Sequence, residues 1–173
     1  MELMIVIVII GILSAVGMVM FGGQAEKAKI AASKANLKTI SKWLAVESTK
    51  VCSAKQGKNK NGMFFEDGNY DTWIRCSGDG THLALAASKY FHKNLIFKNP
   101  YTGENAIPDK AISSSFNITR SGLETVSSSY VKIGEIMFFN LGGEEMSVVF
   151  SNIGDKNGSD KKEWVIIPGP SNF

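Results

Sequence analysis

A chain of 173 residues with 19 Lys and Arg against 16 Asp and Glu carries a net charge of +3, too mild to argue for nucleic acid as a partner. Two histidines in different contexts argue against a zinc site, and no C-x-x-C motif argues for redox work. No G-x-S-x-G elbow, phosphate loop or motif-placed carboxylate pair is present, so the chain reads as non-enzymatic.

The first element is the most informative. Met1 to Gly23 hold one charged side chain, Glu2, and Leu3 to Phe21 reads LMIVIVIIGILSAVGMVMF. About 20 apolar residues are enough to cross a bilayer as a helix, and no soluble core helix needs to be apolar on every face. A cleaved signal peptide would want a basic start and a small-residue cleavage site, and neither occurs. A plain anchor predicts flanking cations and a linker, whereas Gly22-Gly23 run straight into a strong helix former. The remaining reading is a helix embedded in lipid at one time and packed in protein at another.

In the continuation, Ile30, Leu37, Leu44 and Val51 recur every seven residues, with Ile40 and Trp43 on the same side. Lys27, Lys34, Lys38, Lys42 and Glu47 lie mostly elsewhere, which is the pattern of an amphipathic helix on a globular head. Alanines at 25, 28, 31, 32 and 35 favour helix and let neighbours approach closely. No proline precedes Pro100, so Glu2 to about Lys50 is expected to be one helix of about 70 Å.

ELMIVIVIIGILSAV followed by a Lys/Ala-rich amphipathic helix resembles the N-terminal segment of type IV pilins and of the related type II secretion pseudopilins. The resemblance is specific over about the first 25 residues and architectural beyond them. It implies the pilin fold, an α+β arrangement with a long N-terminal helix packed on a small antiparallel sheet. Residues 1–23 would be the membrane and filament-core half of that helix, and 24–173 the head. It also implies a leader clipped by a prepilin peptidase and a methylated N-terminus, both preceding the chain as given. Glu2 would take the place of the family glutamate, pairing with the N-terminal amine of an adjoining subunit and so setting the axial register. A carboxylate stranded among apolar helices is costly unless paired, so slippage would be penalised. On residues alone, a seat in the lipid headgroup region explains Glu2 as well.

Many pilins carry a proline where this chain has Val19. Gly11, Gly17, Gly22 and Gly23 stand here instead, each lowering helix stability by roughly 1 kcal/mol without removing a donor. They are expected to be the segment that softens in a filament.

Cys52 and Cys76 are the two cysteines, and in an exported protein an isolated pair reads as one disulfide, against two unrelated buried thiols. The sequence between them reads as a surface loop with short strands at best. Its Lys55, Lys58 and Lys60 with Phe64, Phe65, Tyr70 and Trp73 suggest a basic aromatic patch for nucleic acid, but a solvated loop anchored by its aromatics is the stronger reading. Thr81 or Asp79 then caps a short helix, THLALAASKYFHKN, with Leu83, Ala87, Tyr90 and Phe91 facing the core and both histidines on the surface. Lys98 to Gly103 is a turn by composition. SSSFNITRSGLETVSSS reads as an exposed edge or loop. YVKIGEIMFFNL, EEMSVVFSNI and KEWVIIPG read as three antiparallel strands, the first two joined at Gly142-Gly143.

Between the second and third strands, Asp155, Asn157, Asp160 and Glu163 roughly suit a calcium loop and resemble the acidic C-terminal loop of major pseudopilins. Lys156, Lys161 and Lys162 dilute that charge, and Asp-Lys-Asn-Gly is ordinary turn chemistry, which outweighs calcium. No other cofactor is expected.

The resemblance leads to a structural subunit of an extracellular type IV pilus, held in the inner membrane as a monomer and polymerised by identical subunits with the pilus assembly machinery. A secretion pseudopilin is the near alternative. A membrane-tethered binding or enzymatic domain is the alternative of a different class.

Overall fold

In the computed structural model, the backbone is described for residues 2–53, 62–66, 71–75, 80–94, 97–108, 116–127, 129–141, 146–155, 157 and 159–168. Within these, the side chains of 2, 18–22, 50–53, 62–66, 71–75, 80–83, 85, 86, 94, 116, 117, 146 and 147 lie outside the description.

The expected long helix is present. α1 runs unbroken from Glu2 to Ser53, 52 residues and about 78 Å. The seven-residue spacing sets its buried face: Leu37, Ile40 and Leu44 are in the core and Trp43 is half-buried beside them. Ser33, Ser41 and Ser48 are buried on the same helix. Ser41 and Ser48 turn their hydroxyls back onto the carbonyls of Leu37 and Ala45, so these small side chains ask nothing of the sheet.

The segment between the cysteines forms more than a loop. β1 (Gly62–Glu66) and β2 (Asp71–Arg75) pair antiparallel, with Gly62 opposite Arg75 and Glu66 opposite Asp71. Phe64, Phe65, Trp73 and Ile74 supply the aromatic and β-branched character that strands favour. α2 follows at Gly80–Asn94, which places Thr81 inside the helix rather than at its cap; Asp79 lies outside the described residues. Ala84, Ala87 and Phe91 are buried as the helical spacing requires, while Leu83 is among the undescribed side chains. Trp43 of α1 stacks on Tyr90 of α2 at 5.3 Å and meets Phe91 edge-on at 4.8 Å, locking the two helices together.

The main sheet has the order β3-β4-β5-β6, with β3 at Phe116–Asn117, β4 at Ile136–Asn140, β5 at Met146–Asn152 and β6 at Lys162–Pro168. β4, β5 and β6 are antiparallel neighbours, as the three apolar runs suggest; β3 adds a two-residue parallel edge to β4. α1 packs against β5 and β6 and α2 against β4, where Phe91 stacks on Phe138. β4 is buried at every position, and that is why its first four residues, IMFF, are continuously apolar rather than alternating, with only Asn140 at its end polar.

The serine-rich stretch before β4, read as an exposed edge or loop, does supply an edge strand and is exposed at most described positions, but it is anchored rather than loose. It holds β3 and a short helix, α3 (Arg120–Glu124), whose cap Thr119 accepts from the Gly122 amide. Leu123 and Val126 from this stretch are in the core cluster. Two apolar anchors were enough to fold it, and the surrounding serines masked their spacing.

Candidate assembly surface

Among the described residues, the amino-terminal part of α1 is left uncovered by the rest of the chain. Leu3 to Val16 include eleven large apolar residues between 51% and 79% exposed, on every side of the helix. Soluble monomers rarely leave contiguous apolar patches beyond a few hundred Å² open, and such patches mark interaction sites. Covering these side chains is worth on the order of 10 kcal/mol at the usual value per buried apolar residue. The lone polar group among them is quiet: Ser14 donates its hydroxyl to the Ile10 carbonyl at 2.7 Å. A side chain at Gly11 or Gly23 would meet nothing within 4 Å, so these glycines do no packing inside the chain. They leave room for a neighbouring helix to approach closely.

A polar turn braces the other half of the helix against the sheet. Asn99, 3% exposed, accepts from the Tyr101 amide through Oδ1 at 2.9 Å and donates through Nδ2 to the Ile133 carbonyl at 2.9 Å. Its backbone closes the turn, donating to the Glu104 carbonyl and accepting from the Gly103 amide, both at 2.8 Å. Asn36 of α1 donates to the Lys98 carbonyl at 3.1 Å, and Tyr101 donates its hydroxyl to the Ile153 carbonyl at 2.8 Å. Lys29 of α1 sits 5.4 Å above the Tyr101 ring. Gly134 and Gly154, with φ of +80° and +67°, allow this closeness. A Cβ at Gly134 would overlap Asn99 Oδ1, and one at Gly154 would stand 2.6 Å from the Tyr101 hydroxyl. The turn read from composition is therefore a clamp joining α1 to the ends of β4 and β5.

Burial, then the Glu26 and Asp155 carboxylates, raise the Tyr101 pKa above its ordinary value near 10. A group whose folded pKa is raised contributes stability fully present below its unfolded pKa and lost as pH rises through the folded value. Tyr101→Phe is thus expected to be less stable by about 1–3 kcal/mol at neutral pH, since the Ile153 carbonyl loses its donor. The deficit should shrink above pH 10; thermal melts of both proteins across that range check it.

His92 is not a free surface residue. Its Nδ1 lies 2.8 Å from the Ile107 carbonyl, which only accepts, so Nδ1 carries the proton. Asn105 donates to the His92 carbonyl at 3.0 Å and accepts from the Ile107 amide, tying the end of α2 to the strand-like segment beyond the turn.

Three of the four proposed calcium residues have another task for their side chains, and the fourth, Asn157, enters through its backbone amide. Asp155 Oδ1 accepts from the amides of Asn157 and Ser159 at 2.8 and 2.7 Å, the bonds of a self-contained Asx turn. Asp160 accepts from Asn152 at 2.7 Å, and Glu163 pairs with Lys34 of α1 at 2.9 Å. Among the described residues no three His, Cys, Asp or Glu side chains gather where they could share a metal ion.

Glu2 opens α1, but its side chain lies outside the description, as does that of Gly22's neighbourhood from 18 to 22. α1 is continuous through Gly11, Gly17, Gly22 and Gly23 in the single chain. Cys52 is on the last turn of α1 with its side chain undescribed and Cys76 lies outside the described residues, so the disulfide falls outside them too. The same holds for Lys55, Lys58, Lys60 and Tyr70 of the basic aromatic patch and for the Gly142-Gly143 turn.

Among the described residues no helix is long and apolar enough to cross a membrane. The apolar residues described without interruption run from Leu3 to Gly17, about 22 Å of helix against about 30 Å of hydrocarbon. No protein-family model, curated protein or solved structure matches this chain.

Proposed function

We propose that the chain is the structural subunit of a helical homopolymer, an extracellular fibre of the type IV pilus kind, built on the pilin fold. The observation that carries the reading is the exposed apolar half of α1, which continues without a break into a helix clamped on a head. A bundle of such helices from successive copies would bury residues 3–16 in a common core while the heads form the outside. Before assembly the same surface suits the bilayer, since the apolar sequence extends to Phe21. In this reading the partners are identical subunits, the inner membrane, a prepilin peptidase and the assembly machinery, and no catalytic step belongs to the chain.

Glu2 supplies the register, because an unpaired carboxylate in an apolar core costs several kcal/mol in every misaligned copy. Glu2→Ala is expected to abolish or derange filaments while membrane insertion stays intact. Negative-stain imaging of material sheared from cells, with membrane fractionation of the same cells, checks both halves. Normal filaments from the variant would defeat the register argument.

A further inference from the structure

Between α1 and β6 lies an open groove of about 490 Å³. Its size falls within the ~300–1,000 Å³ of small-molecule sites. Leu37 and Ala45 of α1 and Val165, Ile167 and Pro168 of β6 line it. Among the described residues β6 is an edge strand of the sheet, and Val165 remains 37% exposed there. From Lys34 to Ala45 the helix advances about 16 Å, and from Glu163 to Pro168 the strand advances about the same. The groove is thus about as long on its helix wall as on its strand wall, and the Lys34–Glu163 ion pair belongs to its lining.

Three lysines border this groove at successive four-residue steps, Lys34, Lys38 and Lys42. Like charges four residues apart on a helix repel. Glu163 answers Lys34, but among the described residues neither Lys38 nor Lys42 has an ion-pair partner. Two cations above an apolar floor match a ligand with one anionic head and one apolar tail. A carboxylate held between Lys38 and Lys42 would relieve their repulsion, and its chain would cover Val165, Ile167 and the Ala45 end. Lys38 stands about 25 Å along α1 from Phe21, where the apolar run ends, so a bilayer lipid in place does not reach it.

We infer that the α1–β6 groove is a binding site for a free single-chain alkyl carboxylate, the chemical class of a fatty acid. The inference does not rest on the filament reading.

The test uses the full chain in phosphatidylcholine nanodiscs, titrated with sodium decanoate and followed by backbone amide shifts, with empty nanodiscs as the control for partitioning. Saturable shifts confined to residues 34–45 and 163–168 are expected. Decyltrimethylammonium, with the opposite head charge, should give none. Lys38→Glu/Lys42→Glu should weaken decanoate at least tenfold, and Val165→Asp should do so separately, each with an unchanged melting temperature. The proposal is overturned by unsaturable shifts, by equal binding of the cationic amphiphile, or by full affinity in the lysine double variant. It is equally overturned if an acidic peptide, such as one spanning residues 62–75, saturates the groove and decanoate does not.

Discussion

Ile9→Asp is expected to abolish assembly and leave the head untouched. Ile9 is 51% exposed in the single chain, so its replacement removes no core contact there. In a bundle of apolar helices the new carboxylate would be buried without a partner, at several kcal/mol per subunit. Each subunit in a polymer would carry the same cost, so even a modest penalty multiplies along the fibre. The variant should melt at the parent temperature by circular dichroism in detergent, and sedimentation should find no polymer. Parent-like polymer from Ile9→Asp would mean that this face is not the one buried.

Gly134→Ala is expected to act in the opposite way, undoing the head while leaving the apolar helix as it was. Its φ of +80° costs a residue with a Cβ about 1–3 kcal/mol, and the added atom overlaps Asn99 Oδ1. Displacing Asn99 breaks its bonds to Tyr101 and to Ile133, and leaves a buried amide without partners. The total should exceed about 3 kcal/mol, a fall in melting temperature of roughly 6–12 °C for a protein of this size. Gly103→Ala is the control. It shares a positive φ, +77°, but a Cβ there meets nothing within 4 Å, so the drop should be a fraction of that. Equal falls in both variants would show that backbone strain alone is at work and that Asn99 is no clamp.

What was legible in the sequence is what repeats locally. Leu37, Ile40 and Leu44 declare their face through helical spacing, and the three apolar runs of β4, β5 and β6 declare strands by composition. The α+β arrangement follows from these alone. The clamp did not show because its parts lie far apart in the chain. Asn99 needs Gly134, and Tyr101 needs Ile153 and Gly154, separations of 34 and 52 residues between bonded partners. A buried asparagine and a surface one look the same until their partners are placed. One local signal was available: Asn-Pro-Tyr ahead of a Gly within five residues reads as a turn, and it is one. His92 failed for the same reason, since its acceptor, Ile107, comes from beyond that turn. In the stretch around α3, Leu123 and Val126 were too few among serines to reveal a period. Asp155 and its neighbours admit two readings from sequence. Oxygen side chains at alternate positions serve a turn as readily as a cation, and here Asp155 spends one oxygen on two backbone amides.

The most direct test of the central claim is a cryo-electron microscopy map of fibres sheared from cells expressing this chain. The account predicts long thin fibres made of this subunit, with residues 3–16 packed helix against helix in the core and the sheet domains outside. Fibres in which those residues face solvent, or cells that display none while the chain accumulates as a folded membrane-bound monomer, would contradict it.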